Sequence, residues 1–139
     1  MSRKLTIQKL VLGATLFVFA KGDGAGGCCS HSDVLGPPTE AVCPPTSTLT
    51  YVNFGEPFMT KYCIGCHSST LSGDDRMGAP AFHDFDTQIG IQRVMDHIDE
   101  TAASGPAATN LAMPPKGESH RPTLEERQQL AEWIACGAP

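Results

Sequence analysis

Apolar residues fall along this chain in four separated stretches. Leu10 to Ala20 is an apolar run with no helical or strand periodicity. Tyr51, Phe54, Phe58 and Tyr62 recur at spacings of three and four, the period of a helix face. Ile91, Val94, Met95, Ile98 and Ala102 form a second such stripe, and Leu130, Trp133 and Ile134 a third. These stripes predict a first helix from the low fifties, a second over about 87–103 and a third from Thr123. Thr50 or Asn53 is expected to cap the first, and Pro57 requires that it start near Asn53 or bend there. Asp86 is the expected cap of the second, and Gly105-Pro106 ends it. Thr123-Leu124-Glu125-Glu126 reads as a capping box, and Gly137 as the stop of the third helix. Strand-like alternation and internal repeats are missing, so the fold class is all-α.

The first apolar run has a different meaning. Arg3, Lys4 and Lys9 precede it, and it is too short for a comfortable membrane span. This is the pattern of a secretory signal over residues 1–20, with Val18-Phe19-Ala20 as a small-residue cleavage site. Residues 21–48 are rich in Gly and Pro without apolar periodicity and are expected to be a linker. The domain is then 49–139. Losing residues 1–20 leaves seven basic residues against fifteen acidic ones, a net charge near −8. Such acidity disfavours nucleic acid and anionic membrane surfaces and suits a partner with a basic patch.

Cys63-Ile64-Gly65-Cys66-His67 carries the most specific chemistry. C-x-x-C-H is the spacing of a c-type haem attachment site. Two thiols add across the haem vinyl groups as thioethers, and the next residue offers an imidazole nitrogen to the iron. One helical turn presents all three groups. Two other readings stand beside it: a redox dithiol, which expects a βαβ pattern, and half of a zinc site, which needs another ligand pair than Cys28-Cys29 and His31 supply. Export agrees with the haem motif, and an oxidising compartment also permits disulfides.

With these residues in view, the chain from about Thr50 to Gly137 resembles the class I monohaem cytochrome c family. A helix leads into C-x-x-C-H, a Met-Pro-Pro loop follows, and the last helix ends in Trp133-Ile134-Ala135-Cys136-Gly137-Ala138-Pro139. The resemblance implies a small cytochrome c fold of about three main helices around one covalent haem c. It implies thioethers at Cys63 and Cys66, His67 as one axial ligand and Met113, before Pro114-Pro115, as the other. A soft neutral thioether favours ferrous iron. By the same resemblance the carbonyl of Pro80, in Gly78-Ala79-Pro80, orients His67, and Gly55 lies where the first helix crosses Leu130 and Trp133. Because the first and last helices of that fold pack together, Cys43 and Cys136 are expected to form a disulfide. Four cysteines outside the haem motif still allow three full pairings. Met77, Met95, His83, His97 and His120 remain rival ligands or plain core and surface residues.

Gly26-Gly27-Cys28 resembles the end of a bacterial lipoprotein signal, with Cys28 as the lipidated residue. Lys21, Asp23 and Ala25 depart from that pattern, so a lipid-anchored and a soluble exported protein both stand. The expected function is one-electron transfer between donor and acceptor redox proteins, without a catalytic constellation. The alternatives are a haem enzyme subunit or gas sensor with an exchangeable sixth ligand, and a non-haem envelope binding module.

Overall fold

The computed structural model describes residues 35–139. The expected signal over residues 1–20 and residues 21–34 of the expected linker, with Cys28 and Cys29, lie outside the described residues. Within them the chain is helical and has no strand. A π-helical turn, Tyr51–Gly55, runs into α1 (Glu56–Tyr62). A short 3₁₀ turn, Gly73–Arg76, lies in the next loop. Then come α2 (Gln88–Gln92), α3 (Met95–Ala102) and α4 (Leu124–Ala135). Ser104 and Thr109 pair in a single isolated bridge.

Thr50 caps the first helical stretch: its hydroxyl accepts from the Asn53 amide, and the Asn53 side chain accepts from the Thr50 amide. Pro57 sits at the start of α1, where a missing N–H costs little. The wide turn ahead of it re-registers the backbone, with the Gly55 amide reaching Thr50 and the Glu56 amide reaching Tyr51. The expected bend is therefore a π-turn.

The single second helix expected from the apolar stripe is two helices. Val94 leaves the helical region (φ −134°, ψ 30°) and separates α2 from α3. Ile91 and Ile98 are nonetheless both buried, so the stripe survives the break. Thr87, not Asp86, caps α2 by accepting from the Gly90 amide. The Asp86 carboxylate instead takes the hydroxyls of Ser68 and Ser69 and the Ser69 amide, which fastens the loop after Cys66 to the start of α2.

The capping box at Thr123 and Glu126 forms as expected. At the other end of α4, Gly137 adopts φ 86°, which disfavours any side chain. The Ala138 amide then reaches Trp133 and the Gly137 amide reaches Ile134, a Schellman closure. Gln88 and Gln92 of α2 donate to the Ala138 carbonyl and hold this end.

The first helical stretch and α4 meet at two places. Near the start of α1 a Cβ at Gly55 would collide with the Trp133 indole. Near its end Tyr62 and Lys61 both donate to the Glu126 carboxylate, at 2.8 and 3.1 Å. Phe58, Met59, Ile91, Ile98, Leu130 and Trp133 form the buried core between the helices.

The described part of the expected linker is a packed strap. The Thr39 amide and hydroxyl both donate to the Asp99 carboxylate, and Thr39 is buried. The Gly36 amide donates to Glu100, and Asn110 donates to the Pro37 carbonyl. Residues 36–48 are thus part of the packed structure. Low apolar periodicity hides this, because side-chain and main-chain hydrogen bonds to α3 do the holding. Cys43 and Cys136 are joined in a disulfide with Cα atoms 4.7 Å apart.

Candidate cofactor site

α1 delivers the cysteine motif to a cavity. The Cys63 and Ile64 amides both bond back to Met59, and the Cys66 and His67 amides to Cys63. The motif therefore continues α1 as a tight turn, and Cys63, Cys66 and His67 all line one cavity of about 350 Å³. That volume lies in the range of small-molecule sites, about 300–1,000 Å³. Phe58, Phe85 and Ile98 give it apolar walls, and Met113 lines the same space from the loop before α4.

His67 is buried, and its ring stacks on Phe85 with centroids 4.5 Å apart and planes 9° from parallel. Its Nδ1 lies 3.3 Å from the His83 carbonyl. A carbonyl only accepts, so Nδ1–H donates, which leaves the Nε2 lone pair for a ligand. Burial pushes the His67 pKa down to about 4, outweighing the opposite pull of that carbonyl. The ring is neutral at neutral pH, the form that ligates metals.

The orienting carbonyl is thus His83 and not Pro80. The Pro80 carbonyl accepts from Arg76 Nη2 at 2.8 Å, because the loop folds around the buried Arg76 guanidinium. Pro80 still lines the cavity.

The Met113 backbone is held on both sides. Its amide donates to Thr101 at the end of α3, and its carbonyl accepts from Arg127 Nη1, each at 2.9 Å. Arg127 also donates to the carbonyls of Ala102 and Asn110 and is almost fully buried. Burial lowers its pKa from the ordinary arginine value.

Burial also pushes the Cys63 thiol up to about 12. Among the described residues no group of three or more His, Cys, Asp or Glu side chains is arranged to hold a metal ion. A structural zinc takes four such ligands.

The rival ligands separate. His83 and His97 line the cavity, with Nε2 of one 3.4 Å from Nδ1 of the other. His120 reaches it from an exposed loop, where its ring nitrogen meets the Ser119 hydroxyl at 2.8 Å. Met95 packs on the core, and Met77 lies outside the cavity with its sulfur 3.7 Å from Cys66 Sγ.

Three residues around the site, Arg127, Phe85 and Arg76, are not among those singled out from the sequence. Arg127 had a signal: it precedes Leu130 by three and so shares the buried face of α4. Phe85 and Arg76 sit in irregular segments with no pattern to mark them. Among the described residues no helix is long and apolar enough to cross a membrane. No family model, curated protein or solved structure matches the chain.

Proposed function

We propose that this chain is an exported c-type cytochrome of the class I kind, carrying one electron at a time on a single covalent haem. The observation that carries this reading is that the C-x-x-C-H turn and Met113, distant in sequence, line one apolar cavity. The donor set fits the group. Two thiols at the attachment spacing would hold it through thioethers, and a neutral imidazole with its second nitrogen engaged would serve as one axial ligand. The Met113 thioether would serve as the other. When bound, the haem supplies the ferric–ferrous couple.

The chain's own residues then have distinct tasks. The His83 carbonyl and the Phe85 ring hold the His67 imidazole in one orientation. Thr101 and Arg127 hold the Met113 loop. Phe58 and Ile98 exclude water from the cavity, which disfavours the more highly charged oxidation state. An acidic surface suits transient docking to basic redox partners, one donor and one acceptor.

The test is covalent attachment. Protein made with a working haem-attachment system should retain haem through denaturing electrophoresis and give the pyridine haemochrome of two thioethers. Cys63→Ala or Cys66→Ala should leave at most one link, and the double variant none. Haem that is extracted from the native protein by acid-acetone would overturn the assignment. Export, and a lipid on Cys28, are read from the same preparation by the mass of its N-terminal peptide.

A further inference from the structure

Arg76 is buried in a loop with no apolar pattern, and every N–H of its guanidinium has an acceptor. Nε donates to Ala79, Nη1 to the Ser68 carbonyl and to Asp84 Oδ1, and Nη2 to the carbonyls of Pro80 and His83. Five donors meet five acceptors, which is the full capacity of the group. Two of these bonds bracket His67. Ser68 is its chain neighbour, and the His83 carbonyl is the acceptor of its Nδ1–H. That one carbonyl oxygen therefore takes the imidazole at 3.3 Å and a guanidinium cation at 3.2 Å.

We infer that Arg76 is the positioning residue of the axial histidine: by sharing the His83 carbonyl it fixes the His67 ring and weakens the electron donation of that ring to iron. The inference rests on the haem assignment above. An acceptor on the far nitrogen of a ligating histidine normally raises its basicity by drawing on the N–H proton. A cation on the same oxygen withdraws the density that would do so. His67 Nε2 becomes a poorer donor, and ferrous iron is favoured over ferric. The guanidinium charge acts in the same direction. Asp84, 2.9 Å from Nη1, acts in the opposite one by neutralising that charge.

The opposed signs make the inference testable. Arg76→Gln should shift the reduction equilibrium toward the ferric protein on the order of tenfold, about 59 mV for one electron. Asp84→Asn should shift it toward the ferrous protein. Arg76→Lys, which keeps the charge but has three donors, should recover part of the Arg76→Gln loss. In the ferrous protein the NMR resonance of the His67 Nδ1–H should move in Arg76→Gln. A merely structural arginine would move both potentials in one direction, because both variants loosen the same loop. Potentials that move together, or an unmoved His67 resonance, overturn the inference. If Arg76→Gln does not fold, Asp84→Asn alone decides: a rise in potential supports the inference and a fall or no change overturns it. Wild-type protein without covalent haem would instead overturn the haem assignment, so the two failures are distinguishable.

Discussion

Met113 enters the cavity on a loop pinned by α3 on one side and by a buried arginine on the other. On the proposed haem reading, a thioether so held is well placed to stay on iron, and its removal has a specific signature. In Met113→Ala the far-red band of methionine-ligated ferric haem should disappear and the reduction potential should fall. The iron should also become open to carbon monoxide and cyanide, while both thioethers and His67 persist. An unchanged visible spectrum would pass the sixth position to His83, His97 or His120, all of which line the cavity. His67 contrasts with Met113. Its ring is fixed through side-chain stacking and one hydrogen bond, so its neighbours tune it directly.

Helix packing around the site depends on one close crossing. Gly55 lets the first helical stretch lie against the fully buried Trp133, and Phe54 meets the same indole edge-on at 5.8 Å. Gly55→Ala should cost about 1–3 kcal/mol by overpacking, read as a lower denaturation midpoint in urea with an unchanged slope. The far end of that helix pair depends on Glu126. Its carboxylate is held down to about 2, first by the Thr123 amide and then by Tyr62 and Lys61. A depressed carboxylate pKa stabilises the fold above the ordinary value of about 4.5, and that contribution is lost as pH falls toward 2. Urea midpoints measured across this window should therefore fall more steeply for wild type than for Glu126→Gln. Much at this level is legible in the sequence, because caps, stops and apolar stripes are local. Thr123 with Glu126, Gly137, and the three helical stretches are of this kind. The split at Val94, the cap at Thr87 and the role of Asp86 are not, since each depends on which distant group satisfies a backbone or a carboxylate. The same is true at the site: the motif marks Cys63, Cys66 and His67, but only the folded loop decides that His83 rather than Pro80 faces the imidazole.

The strap and the disulfide bind the ends of the domain to each other. Thr39 fixes the strap to α3 through Asp99, and Cys43 then ties it to the end of α4 across a separation of 93 residues. Closing a loop of that length restricts the unfolded chain, worth about 4–5 kcal/mol in the chain-entropy account. Cys43→Ala with Cys136→Ala should lower the unfolding free energy by an amount of that order, measured by urea denaturation, with little change in the visible spectrum. The same closure has a consequence for breakage. Every proposed haem contact lies between the two bridged cysteines, so the domain is a covalent ring around its own site. A single cut inside the ring does not divide it. Lys116 lies in the exposed stretch from Lys116 to His120, the kind of place where proteases nick. Trypsin cutting there should leave one band on a non-reducing gel. Adding a reductant should then release two fragments, with the haem on the piece that carries Cys63 and Met113 and the indole fluorescence on the other.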